Sequence, residues 1–156
     1  MSITVPFELM LDTTFKAPAA RVFALLADVP ASASHFPQVD RLVDLGDGVY
    51  RWELHKLGAE PVVIQTVYAA KYASDRKALQ VRWTPVAGIG NARIAGSWTL
   101  RSQRKTTQAR LQLKGEIDVP LPGLMKALVV PVVVHENERL VQQYLHNLAE
   151  HFAGAD

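Results

Sequence analysis

Residues 124–152 read LMKALVVPVVVHENERLVQQYLHNLAEHF, and this stretch without strand-like alternation predicts one long C-terminal helix. At about 1.5 Å per residue the helix would be roughly 43 Å long, enough to cross a whole sheet. An apolar stripe runs along its second half and is formed by Val134, Val141, Leu145, Leu148 and Phe152. We therefore expect that half to pack on a sheet. Pro131 is expected to kink the helix or to start its regular part, because proline removes one intrahelical hydrogen bond.

The chain before this helix alternates between apolar and polar side chains with the period of antiparallel strands. The clearest signal covers residues 94–101 and 107–117, where Gly96 and Gly115 allow a bulge or bend. Residues 7–16 alternate in the same way, and their odd-numbered side chains are predicted to face the core.

Weaker alternation predicts four more strands, at residues 42–45, 49–55, 61–72 and 79–83. The third of these is predicted to turn its even-numbered residues inward. The segment from Pro85 to Gly90 predicts the longest loop, because it combines a proline with two glycines.

Two short helices are predicted between the first and second strands. Pro18 suits the first turn of a helix, which should end before Pro30. Residues 31–36 are expected to add a turn or two before Pro37. The resulting order, β-α-α-β6-α, predicts an α+β fold in which a curved antiparallel sheet of about seven strands wraps around the C-terminal helix.

Four stretches carry a resemblance to a known superfamily. They are FKAPAARVFALLAD (residues 15–28), Phe36-Pro37, GSWTL (residues 96–100) and LVQQYLHNL (residues 140–148). Together with the element order, they make the chain resemble the SRPBCC or START-like helix-grip superfamily, in particular its bacterial polyketide cyclase/dehydrase branch. The resemblance implies a cavity between sheet and helix that takes an apolar or polycyclic ligand. Residues 1–156 are accordingly predicted to form a single helix-grip domain.

Composition excludes several classes of function. Cysteine is absent, which excludes disulfides, thiolate catalysis and iron–sulfur clusters. The 17 Lys and Arg residues are scattered, so nucleic acid is not an expected partner. Residues 124–134 are interrupted by Lys126 and Pro131 and are too short to span a bilayer. The first residues lack the pattern of a secretory signal, so we predict a cytoplasmic protein. We also expect neither a cofactor nor a metal.

The inward-facing aromatic residues are candidates either for the core or for the wall of a ligand cavity. Thr66 shares a predicted face with Tyr68 and Tyr72, so these three hydroxyls could orient a ligand carbonyl or phenol, or bond to one another. The predicted ligand-binding residues are Trp52, Ile64, Thr66, Tyr68, Tyr72, Trp83, Ile94, Trp98, Leu113, Leu128, Val132 and His135.

Two residues are candidates for acid–base chemistry. Tyr68 could act as a proton donor only if its pKa, ordinarily about 10, were lowered. His135 is predicted either at the cavity mouth or on a solvated helix face. The zinc-protease pattern that begins at His135 is excluded, because Arg139 stands where a second histidine is required.

Three functions remain open at this point. The first is binding, meaning storage, presentation or transfer, of a small apolar molecule such as a lipid, quinone or polyketide, driven by burial at about 25 cal/mol per Å². The second is a cyclase, aromatase or dehydratase that uses the same cavity and gains rate from positioning. The third is an interaction subunit that docks on a partner or a membrane surface through residues 124–134. These residues could instead form a lid over the cavity. The protein is expected to be a monomer or a homodimer.

Overall fold

The computed structural model describes residues 2–59 and 62–154. Its elements are β1 (Ile3–Phe15), α1 (Ala19–Ala27), α2 (Val29–Ala33), β2 (Val39–Gly46), β3 (Val49–Leu54), β4 (Leu57–Ala59), β5 (Val62–Ile64), β6 (Val67–Asp75), β7 (Gln80–Gly90), β8 (Ala92–Gln103), β9 (Thr106–Val119), a 3₁₀ turn (Gly123–Met125) and α3 (Lys126–Gly154). Seven strands form one antiparallel sheet in the order β1-β9-β8-β7-β6-β3-β2, and β4 pairs only with β5. The predicted α+β architecture, a curved sheet with a long C-terminal helix, is confirmed.

The core lies between the inner face of this sheet and the second half of α3. In β1 the odd-numbered residues Val5, Phe7 and Phe15 are buried, as the alternation predicts. The Phe15 ring lies 5.1 Å from that of Phe152 on α3 and 6.1 Å from that of Trp98 on β8, measured between centroids. The contact between Phe15 and Phe152 therefore holds the C-terminal end of the helix against the end of the edge strand β1.

The two halves of α3 have different surroundings. Its second half buries Val141, Tyr144, Leu145, Leu148 and Phe152. Among residues 124–134, by contrast, only Val129 is buried. The helix begins at Lys126 and continues through Pro131, so the proline does not start it.

Two predicted strand boundaries in the middle of the chain are wrong. The strand predicted at residues 61–72 is split into β5 and β6 by Gln65 and Thr66, and its predicted start, Pro61, lies outside the described residues. The predicted loop at residues 85–90 is a bulged continuation of β7. Its pairing with β6 shifts from Ala70–Pro85 to Tyr68–Gly90, so a proline and two glycines are absorbed without ending the strand.

The second short helix also begins earlier than predicted. The Asp28 carboxylate accepts a hydrogen bond from the Ala31 amide at 3.2 Å and caps α2, which starts at Val29. Pro30 lies in the first turn, where its missing N–H leaves no acceptor unpaired. The predicted helix at 31–36 is therefore displaced toward the N-terminus.

Gly96 makes room for a side chain instead of forming a bulge. The pairing of β8 with β9 runs through Gly96 and Gly115 without a shift in register. A Cβ atom on Gly96 would lie 2.4 Å from the Trp83 ring, so the indole occupies the space that a side chain would take. The missing side chain thus sets the position of Trp83.

Asn91 lies at the turn between β7 and β8. Its side chain forms hydrogen bonds with backbone groups at the break between β5 and β6, where the strand pairing is interrupted. Its side-chain amide donates to the Gln65 carbonyl at 2.8 Å and to the Asp118 carbonyl at 3.2 Å. Its side-chain oxygen accepts from the Val67 amide at 2.8 Å. One side chain therefore joins the gap before β6 to the end of β9.

We predict that Asn91→Ala lowers the free energy of unfolding by about 2–3 kcal/mol, because three hydrogen bonds to part-buried backbone groups are lost. Urea denaturation measures the change. Ser97→Ala is the matched control, since its exposed hydroxyl makes only a 3.4 Å contact with Gln112. Equal stability of the two variants would contradict this role for Asn91.

Candidate ligand cavity

A cavity of about 80 Å³, here called the inner cavity, lies between the sheet, the two short helices and α3. α3 contributes Asn137, Val141 and Tyr144 to its wall, and α2 contributes Val29 and Ser32. The remaining wall consists of Thr66 and of apolar and aromatic side chains, mostly from the sheet. Its volume is roughly half that of an engineered cavity of about 150 Å³ that binds benzene. The sheet and the helix therefore leave a void, but side chains have narrowed it.

The inner cavity is narrow because the aromatic rings of its wall contact one another. Tyr144 lies between Trp98 and Phe36, with centroid distances of 6.2 and 5.3 Å. Phe36 also contacts Trp52 edge-on at 5.8 Å, and Trp52 stacks on Tyr68 at 5.9 Å with only 7° between the planes. These tilted and stacked rings hold one another in place. The wall of the inner cavity is thus a connected aromatic cluster that spans α3, the sheet and the segment after α2.

Hydrogen bonds pair several of the polar tips in this cluster. The Trp52 indole N–H donates to the Tyr72 hydroxyl at 2.9 Å. The hydroxyls of Ser32 and Tyr144 share a hydrogen bond that joins α2 to α3. Asn137 donates its amide to the Val133 carbonyl one turn earlier, at 3.1 Å. Buried polar groups ordinarily need such partners.

Burial keeps the cavity tyrosines protonated. It raises the pKa of Tyr68 well above its ordinary value and raises the pKa of Tyr72 as well. Burial also raises the pKa of Tyr144 to about 12, despite the opposing effect of its hydrogen bond to Ser32. Proton transfer from Tyr68 would need a lowered pKa. Because burial raises the pKa instead, Tyr68 is expected to remain a neutral phenol that donates hydrogen bonds without losing its proton.

A second cavity of about 300 Å³, the outer cavity, adjoins the first. It lies between the middle of α3 and the strand ends around β3 and β5. Leu54, Thr66 and Asn137 line both cavities and form the boundary between them. The Leu54 amide donates to the Thr66 carbonyl at 3.0 Å, which fixes one side of that boundary.

The predicted ligand-binding residues divide into three groups. Those that line the inner cavity are Trp52, Thr66, Tyr68, Tyr72, Trp83, Ile94, Trp98 and Leu113. Ile64 and Val132 line the outer cavity, which Thr66 also reaches. Leu128 and His135 line neither cavity and are exposed. His135 lies between Val133 and Glu136, which line the outer cavity, but its own side chain is exposed. A ligand-binding role of Leu128 and His135 therefore stays a prediction.

Sequence reasoning missed most of the cavity lining that comes from helices. Ser32 and Asn137 carried no recognisable signal, because a polar residue on a short helix or beside charged neighbours resembles a solvated one. Tyr144 borders the apolar stripe of α3 and is the missed residue that helical periodicity could have identified.

The seven-stranded sheet, the C-terminal helix and the space between them define a helix-grip protein. Residues 7–153 match the family model described as polyketide cyclase / dehydrase and lipid transport. The chain therefore belongs to this family, and the resemblance to the SRPBCC or START-like superfamily is confirmed. No curated protein matches the chain.

Solved structures share the fold at low sequence identity. A protein of Thermus thermophilus is 20% identical with a TM-score of 0.70, over 96% of this chain and 99% of that chain. A START superfamily protein of Mycobacterium smegmatis is 14% identical with a TM-score of 0.67, over 92% and 97%. The Zhui aromatase/cyclase of a Streptomyces species is 16% identical with a TM-score of 0.62, over 96% and 92%. At these identities the likeness shows the fold alone.

We predict that Tyr68, Tyr72 and Tyr144 ionise only as the protein unfolds. Because their pKa values are raised in the folded state, their contribution to stability is complete below the unfolded-state value of about 10 and is lost as the pH rises through the folded values. Tyrosinate absorbance and far-UV circular dichroism, followed together, should change in step for these residues.

The remaining tyrosine, Tyr50, lies outside both cavities and should ionise earlier, although burial raises its pKa as well. Tyr50→Phe should therefore remove the early step and leave the later one unchanged. Ionisation of all four tyrosines before any loss of circular dichroism would contradict the burial of the cavity phenols.

Proposed function

We propose that this protein binds a small apolar molecule that lies in the outer cavity and extends into the inner one. The observation that carries the proposal is the pair of adjoining cavities with a common boundary at Leu54, Thr66 and Asn137. The outer volume of about 300 Å³ is at the lower end of the range for small-molecule pockets, ~300–1,000 Å³. The inner volume alone would admit only a few heavy atoms, so the larger part of a ligand belongs in the outer cavity.

The charge distribution supports binding of a neutral, apolar compound. In the part of the chain that the structure describes, no Asp, Glu, His, Lys or Arg lines the inner cavity. A charged ligand group there would lose its hydration without gaining a counter-ion. A lipid, a quinone or a polyketide, each with a largely apolar body, meets this requirement. Apolar burial provides the driving force.

The same distribution favours binding over cyclase or dehydratase chemistry. Acid–base catalysis near neutral pH needs a group that titrates there, and the ionisable groups around the inner cavity are tyrosines with raised pKa values. The outer cavity has His55 and Glu136, but these pair with Asp40 at 2.9 Å and with Arg139 at 2.6 Å. The family description includes cyclase, dehydrase and lipid transport, so membership is compatible with a binding protein.

A specific observation favours a second, complementary function, which is docking on a lipid surface. Leu124, Leu128 and Val132 are 98%, 72% and 66% exposed and recur every four residues. Leu124 lies in the 3₁₀ turn, and Leu128 and Val132 follow in the first half of α3. Val132 also lines the outer cavity, as does the exposed Leu57. This apolar stripe therefore ends at the cavity mouth.

The charges near the stripe fit an anionic bilayer. Residues 119–135 contain no carboxylate and one lysine, Lys126, and Lys56 precedes Leu57. Exposed apolar side chains with flanking lysines suit the boundary between headgroups and acyl chains. Among the described residues, no helix is long and apolar enough to cross a membrane, so the contact we propose is peripheral. A ligand that leaves the bilayer would then enter the outer cavity directly.

We predict that the neutral fluorescent probe N-phenyl-1-naphthylamine binds to the wild-type protein and that Val133→Trp weakens its binding at least tenfold. Val133 lines the outer cavity, so the larger side chain should occupy the space of the ligand. Fluorescence titration measures the affinity. Leu45→Trp, which adds the same side chain at an exposed position of β2, is the matched control. Equal affinity of the two variants would place the probe outside the cavity and count against the proposal.

We predict that the protein floats with vesicles that contain phosphatidylglycerol, floats less with pure phosphatidylcholine, and loses flotation in Leu128→Asp. The substitution places a carboxylate in the middle of the apolar stripe. Met10→Asp is the control, because Met10 is an exposed apolar residue on β1, away from α3. Absence of the wild-type protein from both floated fractions would refute docking. A dimer in sedimentation that Leu128→Asp dissociates would assign the stripe to self-association instead.

A further inference from the structure

One tyrosine of the inner cavity has an unused hydroxyl. The Tyr72 hydroxyl accepts from Trp52, and the Tyr144 hydroxyl is bonded to Ser32. Within residues 2–59 and 62–154, no protein group hydrogen bonds to the hydroxyl of Tyr68. Tyr68 lines the inner cavity and is only 9% exposed. Among the described residues this hydroxyl is not one of the fully buried side-chain atoms that lack a partner, so it keeps surface that faces the cavity and that a ligand oxygen can contact.

The surroundings of Tyr68 hold its ring in one orientation. Its ring stacks on Trp52, which is fixed in turn by its bond to Tyr72. Tyr72 and Tyr144 line the same cavity as Tyr68, so the three phenols share one wall. A donor held in place before the ligand arrives loses little conformational entropy on binding.

The chemistry of this donor limits the group that it can recognise. A protonated phenol donates one hydrogen bond, and its best partner is an oxygen with an available lone pair. The inner cavity offers no counter-ion, since no charged side chain among the described residues lines it. The recognised group is therefore a neutral acceptor, and its small size must match the cavity volume of about 80 Å³. A ketone, quinone or ester carbonyl meets these requirements.

We propose that the Tyr68 hydroxyl donates a hydrogen bond to a carbonyl oxygen at the inner end of the ligand, and that Tyr68 thereby selects carbonyl compounds over hydrocarbons of the same shape. This inference rests on the proposed binding function and specifies the class of its ligand. Apolar contacts provide most of the affinity, and Tyr68 provides the selectivity. In this arrangement Tyr68 binds the ligand without transferring a proton.

Acetophenone and α-methylstyrene test the inference, because they differ mainly in a C=O group that replaces a C=CH₂ group. Their affinities for the wild-type protein and for Tyr68→Phe are measured by displacement of N-phenyl-1-naphthylamine. We expect Tyr68→Phe to weaken acetophenone binding about five- to tenfold, the typical value of one hydrogen bond, and to change α-methylstyrene binding less than twofold. Tyr50→Phe, which removes a hydroxyl outside the cavity, should change neither affinity.

Thermal unfolding provides a second measurement that does not depend on a ligand. Since no group among the described residues is hydrogen-bonded to the hydroxyl of Tyr68, Tyr68→Phe should leave the melting temperature unchanged or raise it. A clear decrease would mean that the hydroxyl is bonded within the protein, and it would overturn the inference.

The binding results separate the inference from the function on which it rests. The role of Tyr68 is overturned if Tyr68→Phe weakens the binding of both compounds equally, or if it leaves the affinity for acetophenone unchanged. The proposed binding function stands in either case. Failure of acetophenone to displace a bound naphthylamine probe has the same meaning. Failure of every probe to bind the wild-type protein overturns the proposed function together with this inference.

Discussion

The grip of the sheet on the second half of α3 is the contact on which the rest of the structure depends. Phe152 packs on Phe15, and Tyr144 packs between Trp98 and Phe36, so large rings from the helix meet large rings from the sheet. The inner cavity lies beside these same contacts, and Tyr144 belongs to both.

The same contact explains why the first half of α3 is exposed. The sheet buries the second half of the helix, whereas the first half buries only Val129. Val130, Val133 and Val134 are partly buried against the core, so the other side of this half remains exposed. The outer cavity forms where the helix leaves the sheet, with Val132 and Val133 on one side and Leu57 and Ile64 on the other. The exposed apolar surface therefore lies next to the mouth of the outer cavity, because both are formed by the first half of α3. This position links the two proposed functions.

Among the residues that the structure describes, the ionisable side chains that line the inner cavity are all tyrosines, and this composition shapes the cavity as much as its volume does. In a space with so little polar surface, one unpaired phenol outweighs many apolar contacts in selectivity, although it adds little to affinity. Tyr68 is placed by Trp52, Trp52 by Tyr72, and the pairing of Ser32 with Tyr144 ties α2 to α3. The polar groups of the wall thus hold the helices and the sheet together, and among the described residues the hydroxyl of Tyr68 is bonded to none of them.

Local pattern was sufficient for the fold, because alternation and helical periodicity report directly which face of an element is buried. The strands around Trp98 and Leu111 and the long helix could be predicted in this way, whereas the superfamily was predicted from the resemblance of four stretches, among them residues 15–28 and 140–148. Inward-facing aromatic residues such as Trp52, Tyr68 and Trp83 were recognised for the same reason. The pattern failed where distant residues meet. Ser32 and Tyr144 are 112 positions apart, and Asn91 closes a gap in the sheet at Gln65. The register of the strands and the position of the helix on the sheet exist only in the folded protein. They determine the hydrogen-bond partners, the exposure of Leu128 and the volume of the cavity.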